Sequence, residues 1–509
     1  MSTETKIVHA DTFATIKTSV NKMVDFIRPT FGPASNKVII SKIPYFMVVD
    51  DGVQAARDFE LEDPAEQAIV KLVREVAIRT NDRVGDGTTG ALIMLQAIIN
   101  EVSRRTRWSG RKIMLELQKA VVEAKEQILA MAKPIKTKSE LEKVARVSYD
   151  DAKTAEMIAG LYEKLGKDAL ITVDKSPTME TTAEMSEGMT IKNGYVSPYM
   201  ITDGSRMEAL VEKPYILLTD YRLTEATDIL PIMEKMVAAN KRELVIICEN
   251  IEGSALATVV LNKIQGKFLV VAVVAPATED RKVFLEDMAL LTGGKMFTES
   301  KGDKLEDATV KDLGRADRFI CRRDESIVVG PKGKKSDIQM ATSELQVAVE
   351  TEKDERRKGG LVLRLARFTN RIAVIKVGAP TENEQKALKY KIEDAVNAVK
   401  SAYKGGVVCG AGLTLARIQT SSPILNAAMK APARQLRENM DLEVEEPLKD
   451  GHAYNMVTLE TGPFLDVGVV DPADVLIAGI ESAVSIASML LTSHGMIVES
   501  PKKPPIERE

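Results

Sequence analysis

Histidine and cysteine are scarce in this 509-residue chain, with three of each. His9, His452 and His494 have no metal-ligand spacing to one another or to a cysteine, which argues against a zinc site and against a Ser-His-Asp hydrolase. Cys248, Cys321 and Cys409 lie far apart, each in an apolar run. That is the pattern of a reduced, cytosolic protein with no disulfide framework. No strong excess of charge is present either: the formal net charge is −4, so non-specific nucleic-acid binding is not expected as the main activity. The longest apolar stretch, "VLIAGIESAVSIASMLL" (475–491), is broken by Glu481 and several serines. It falls short of a membrane span and reads as a buried helix. The N-terminal "MSTETKIVHADTF" lacks the basic-then-apolar shape of a secretion signal. Neither a nucleic acid nor a membrane is expected as a partner.

What is present is ordinary for a soluble globular protein: 44% hydrophobic and 28% charged residues, in a chain long enough for two to four domains. The first and last thirds read as helical. In "EDPAEQAIVKLVREVAIRT" (62–80), Asp63 is placed to cap, Pro64 stands at the first helical position and Glu66 would complete a capping box. Ile69, Leu72, Val73 and Val76 then mark one apolar face. "ALIMLQAIINEV" (91–102) is almost wholly apolar and is expected at the centre of a core. A third pattern, 112–132, ends at Pro134, and "DPADVLIAG" (471–479) repeats the Asp-Pro start signal.

The middle third changes character. "YILLTD" (215–220), "ELVIICEN" (243–250) and "FLVVAVVAP" (268–276) are short strand-like runs separated by helix-length patterns, which predicts an α/β domain with a largely parallel sheet. Residues 336–369 read as helical with a solvated charged face. After the strand-like "RIAVIKVGA" (371–379), a Thr381/Glu384 capping box opens a helix that stops at Gly405-Gly406.

"NDRVGDGTTG" (81–90) carries the glycine spacing of a dinucleotide fingerprint, but a helix precedes it and no acid follows about twenty residues on, so that reading fails. No G-x-x-x-x-G-K-[ST] occurs, and the kinase segments H-R-D and D-F-G are absent. What remains is a helix–loop–helix whose second helix begins among glycines and threonines. Such a helix start attracts phosphate, and Asp86 beside it suits a Mg²⁺ that bridges to the phosphates. On spacing alone, a plain capped helix start with Asp86 or Thr88 as the cap is an equal alternative.

The stretch "DDGVQAARDFELEDPAEQAIVKLVREVAIRTNDRVGDGTTGA" resembles the nucleotide-binding signature of the bacterial-type (group I, GroEL-type) chaperonins. The resemblance runs in order through "TFGPASNKVII" (30–40), "EGMTIKNGYVSPYM" (187–200), "ENIEGSALATVVLNKIQG" (249–266), "LEDATVKDLGRADR" (305–318), "RIAVIKVGAPTENE", "KIEDAVNAV", "GGVVCGAGLTL" and "YNMVTLETGPFLDVGVVDPADV". It implies a multidomain α and α/β chaperonin subunit. A mainly helical equatorial ATP-binding domain would comprise residues 1–132 and 405–509. A small α/β intermediate hinge domain would comprise 133–187 and 371–404, and an α/β apical domain 188–370.

Carried onto matching positions, the resemblance implies ATP with Mg²⁺, and K⁺ as a further candidate. Thr30, Gly32 and Pro33 would line the phosphates and base, Asp86 would bind Mg²⁺, and Gly87, Thr88, Thr89 and Gly90 would wrap the phosphates. Gly410 and Asp471 would contact the ribose, and Asn455, Met456 and Val457 the adenine. Asp394 would orient the attacking water, with Asp51 as a second acid near the γ-phosphate. Tyr195, Tyr199, Met200, Leu230, Met233, Leu256, Val260 and Leu261 would line a groove for unfolded polypeptide clients. Without the resemblance, Asp394 reads as a solvated helix acid and the groove residues as sheet-covering core. The implied assembly is a homo-oligomeric ring, seven-fold in the family, in the cytoplasm of a bacterium or of a virus-infected bacterial host. No long insertion interrupts the apical segment, so a separate lid co-chaperonin is implied unless this variant dispenses with one.

The chain departs from the family pattern at Asp50 (usually lysine), Gly90 (threonine), Ala411 (glycine) and Met456 (a small residue). Residues 418–451 form a shorter segment than usual, "RRTRWSGR" (104–111) replaces a small-residue segment, and a Gly-Met tail is missing. These leave nucleotide affinity, turnover and the double ring open. A ring-forming holdase or scaffold with weak ATP turnover is the alternative to an ATP-driven folding machine; a small-molecule kinase or synthetase has no acceptor-site motif.

Overall fold

The computed structural model describes residues 3–8, 12–33, 36–42, 45–49, 52–105, 109–166, 169–204, 206–277, 280–369, 371–442 and 449–501. The chain forms two compact units. One comprises Met1–Ala169, Val173–Thr182 and Ile375–Glu509; the other comprises Leu170–Thr172 and Ala183–Val374.

The first unit is helical. At the start of the helix Pro64–Val84, the Asp63 carboxylate accepts from the Ala65 and Glu66 amides at 2.8 and 3.0 Å, as its sequence predicts. The expected capping box is only half made, because Glu66 turns to the Lys22 ammonium at 2.6 Å. A complete box forms instead at Thr137 and Glu140, opening the helix Lys138–Ser148. Ile69, Val73 and Val76 are buried, but Leu72 is 40% exposed, and Val70 and Ala77 take its place inside. The buried stripe is centred slightly to one side of the expected face.

The apolar run after the glycine loop becomes the helix Thr88–Ser103, whose Leu92, Leu95, Ile98, Ile99 and Val102 are fully buried. Around it pack the helices Thr12–Ile27, Pro64–Val84, Pro423–Met429 and Ala473–Thr492. The last of these is long and apolar enough to cross a membrane, yet 72% of its apolar window is buried inside the protein. It is a core helix, as Glu481 and the serines suggested. Asp471 does not cap it. The helix begins at Ala473 behind Pro472, and Asp471 sits in a short strand, Val470–Pro472, paired antiparallel with Val407–Cys409. The helices Lys138–Ser148 and Glu382–Gly405 pack on each other and on that strand.

The second unit is built on a sheet. Strands Leu269–Val274, Glu243–Cys248 and Tyr215–Thr219 lie side by side and parallel. Beyond them Gly314–Cys321, Ser326–Pro331 and Thr182–Ile191 continue antiparallel. The expected parallel sheet is therefore parallel in one half only. Side chains alternate across it: Val245, Ile247, Val271 and Val273 meet the helix Arg281–Thr292 side, while Leu244, Ile246, Val270 and Ala272 meet the helices Leu230–Ala238 and Gly253–Ile264. All three cysteines are buried and free.

Candidate functional site

The glycine loop is built by two left-handed residues. Gly85 (φ +69°) closes the helix Pro64–Val84 with its N–H on the Asn81 carbonyl. Gly87 (φ +76°) then opens the helix Thr88–Ser103 with no side-chain cap. The first-turn amides of Thr88, Thr89 and Gly90 are thus left without a side-chain acceptor, which is how a helix N-terminus receives an anion. The Thr88 hydroxyl is buried with no hydrogen-bond partner among the described residues. A buried orphan hydroxyl at an uncapped helix start needs an acceptor, and a phosphate oxygen supplies one.

Two acids face this start. Asp86 accepts the Gly87 amide at 2.6 Å on one carboxylate oxygen and the Ser148 hydroxyl at 2.9 Å on the other. Asp471 is pushed up to about 7, first by burial and then by the Asp86 charge. A pair of neighbouring carboxylates that resists full ionisation is a place for a cation. No group of three or more His, Cys, Asp or Glu side chains able to hold a metal occurs among the described residues. The Asp86 carboxylate beside an uncapped helix start suits a hard ion that takes its other oxygens from phosphate and water, as Mg²⁺ does.

The helix Glu382–Gly405 closes over the loop. A β-carbon on Gly85 would lie 2.2 Å from Asn397 Nδ2 and 2.7 Å from Asn397 Cβ. Asp394 precedes Asn397 by three residues, so the two share a helix face. Ile392, Ala395, Val396 and Val399 are buried, and Asp394 is half-buried beside them. Residues 30–33 pack on the other side. The Phe31 ring lies 3.6 Å from where a Gly90 β-carbon would be, and the Thr30 hydroxyl donates to the Ile27 carbonyl at 2.8 Å. Gly32 (φ +95°) lies against Leu436, and Pro33 is exposed. Gly410 donates its amide to the Val469 carbonyl at 2.9 Å, beside the Asp471 strand. Ala411, where the family pattern has glycine, is held at φ +54°.

Asn455 uses its side chain internally. Its carboxamide donates to the Val467 carbonyl at 2.9 Å and accepts from the Val457 and Thr458 amides. Met456 is half-buried and Val457 is exposed. Asp51, and Asp50 beside it, lie outside the described residues. Gly52, the next residue, touches Thr89: an added β-carbon would sit 2.0 Å from its hydroxyl.

Sequence reasoning missed Ser148 and Lys143, both on the helix Lys138–Ser148. The Lys143 ammonium donates to the Leu465 carbonyl at 2.8 Å and the Asp466 carbonyl at 3.3 Å, in the turn leading to Asp471. A model of the TCP-1/cpn60 chaperonin family matches residues 23–501. The chain belongs to that family. It is a chaperonin resembling GroEL. It is also similar to the chaperonin gp146 from the bacteriophage EL 2 (Pseudomonas aeruginosa), solved in two crystal forms in the presence of ATP-BeFx. Crystal form II gives a TM-score of 0.65 at 20% identity, covering 96% of this chain and 98% of that one. Crystal form I gives 0.60 at 20% identity, covering 98% and 99%.

The expected client groove of this chaperonin divides in the structure. Tyr199, Leu230 and Leu261 are exposed, and Tyr195, Leu256 and Val260 are half-buried. Met200 and Met233 are not surface residues. Both are buried in the cluster beneath the two helices, with the Ala272 amide 3.2 Å from the Met200 sulfur. Val237 and Ile264, which the sequence reading passed over, are more than half exposed on the same helices.

Proposed function

We propose that the chain is an ATP-dependent protein-folding chaperonin: a subunit of a homo-oligomeric ring that captures non-native polypeptides, encloses them and times their release by ATP hydrolysis. The observation that carries the reading is one juxtaposition. An uncapped helix start with a buried orphan hydroxyl at Thr88, the acids Asp86 and Asp471, and the helix bearing Asp394 all meet at one loop. The gp146 relative was solved with an ATP analogue, which supports the choice of nucleotide.

In this reading the Thr88, Thr89 and Gly90 amides take the phosphates. Asp86 holds Mg²⁺, which when bound neutralises phosphate charge. Asp394 orients the attacking water, and Asp51, outside the described residues, is the second acid the resemblance implies near the γ-phosphate. Phosphoryl transfer has a loose transition state, so positioning and charge neutralisation outweigh base strength. Asp471 and Gly410 border the ribose, the turn at Asn455, Met456 and Val457 borders the adenine, and K⁺ is a further candidate ion. The three-domain division, the seven-fold ring, a lid co-chaperonin and a cytoplasmic setting belong to the same proposal. Exposed apolar side chains on the helices Leu230–Ala238 and Gly253–Ile264 form the client surface; such surfaces bind unfolded chains with little sequence preference.

The test is phosphate release with and without a denatured client. Asp394→Ala is expected to retain ATP binding and lose most turnover; turnover at the parental rate removes Asp394 from the mechanism. A ring-forming holdase with weak turnover is the second reading. It is favoured by the Phe31 ring standing over Gly90, where the family pattern has a threonine hydroxyl. Client capture without phosphate release in the parent would select it.

A further inference from the structure

We infer that Ser148 is a positioning residue for the metal-binding carboxylate of Asp86. The inference rests on the nucleotide reading above and deepens it.

Asp86 stands between two glycines that both adopt left-handed backbone, on a loop with few side chains of its own to steady it. Its carboxylate is nevertheless held from both ends. The Gly87 amide donates to Oδ1 at 2.6 Å, and the Ser148 hydroxyl donates to Oδ2 at 2.9 Å. A donor on each oxygen sets the plane of the carboxylate. The Gly87 bond is local and moves with the loop. The Ser148 bond is not: the two residues are 62 positions apart, so it ties the carboxylate to a separate helix.

That helix is itself anchored. Lys143, five residues before Ser148, grips the Leu465 and Asp466 carbonyls, and the buried Leu141, Val144 and Ala145 fix its inner face. The hydroxyl therefore comes from a braced element. Outer partners of metal-binding carboxylates act in this way: they orient the ligand, and their loss weakens metal binding by about 10–100-fold.

The experiment uses full-length parent, Ser148→Ala and Ser148→Thr, with Mn²⁺ as the probe at saturating ADP. Binding is read from the loss of the free-Mn²⁺ electron paramagnetic resonance signal. Ser148→Ala is expected to bind Mn²⁺ about tenfold more weakly, and Ser148→Thr, which keeps the hydroxyl, to restore parental binding. Affinity for a fluorescent ADP analogue in EDTA and the thermal midpoint should be the same in all three proteins, which a merely structural serine would not guarantee. Parental or tighter Mn²⁺ binding by Ser148→Ala overturns the inference alone, as does a Ser148→Thr protein as weak as the alanine variant. A parent that takes up no Mn²⁺ with ADP overturns both this inference and the nucleotide reading.

Discussion

Gly85→Ala tests whether the seat of the Glu382–Gly405 helix on the loop controls hydrolysis. Two costs follow from the geometry. Gly85 has φ +69°, where an L-residue loses roughly 1–2 kcal/mol relative to glycine. The new methyl would also lie 2.2 Å from Asn397 Nδ2 and 2.7 Å from Asn397 Cβ. The amide nitrogen ends a rotatable side chain and can swing aside. The β-carbon cannot, because it is fixed to the helix backbone. A comfortable carbon–carbon contact is about 3.5–4.0 Å, so relief requires the helix to retreat by about 1 Å, and Asp394 retreats with it. A misplacement of about 1 Å can cost on the order of 100-fold in rate.

The expected result is single-turnover ATP hydrolysis about 100-fold slower than the parent. Equilibrium affinity for a fluorescent ATP analogue should be nearly unchanged, because the amides of residues 88–90 are untouched. Adding Asn397→Gly removes the obstructing β-carbon and leaves only the backbone strain. The double variant should recover most of the rate while keeping the lowered thermal midpoint of Gly85→Ala. Parental hydrolysis by Gly85→Ala, or no recovery in the double variant, refutes the argument that this contact sets the position of Asp394.

Other consequences can be measured separately. Asp471 titrates near 7 in the folded chain against an ordinary 3.8. Its native state therefore holds a proton that the unfolded chain has released, and its contribution to stability falls as pH rises from about 4 through 7. Binding of Mg²⁺ with ADP at pH 6.5 should expel that proton. Calorimetry in buffers of different ionisation enthalpy should find more release in the parent than in Asp471→Asn, and equal release refutes the assignment. On the proposed client surface, Val260→Ser and Leu261→Ser should leave the thermal midpoint near parental and weaken capture of a denatured protein several-fold, as loss of apolar contact requires. Met233→Ser should instead destabilise the fold by about 2–5 kcal/mol, the cost of emptying a core site; wild-type stability would return Met233 to the surface.

The parts of this chaperonin that could be read from its sequence are those in which neighbouring residues determine the outcome. Asp63-Pro64 starts a helix because a carboxylate and a preset φ act within one turn. Gly85 and Gly87 mark a left-handed loop because other residues resist that backbone. The burial of residues 91–102 follows from their own apolarity. Roles set by distant residues were far less legible. Glu66 has the spacing of a capping box, yet Lys22 offers it a charge, and only the folded core brings the two together. Met200 and Met233 have the same apolar pattern whether they face a groove or a sheet, and their burial in one cluster with the strand residues Leu217 and Ile246 decides for the sheet. Asp471 reads as a helix start until Pro472 ends the strand and leaves its carboxylate beside Asp86. Ser148 gave no signal at all, because a serine at a helix end has many local uses. Its bond to Asp86 exists only because Lys143 and three buried side chains fix the helix that carries it. The glycine loop is thus largely local in origin, whereas the contacts that tune it are tertiary, and disturbing the Ser148–Asp86 bond, the Gly85–Asn397 contact and the Asp471 carboxyl should alter metal uptake, turnover and proton release respectively.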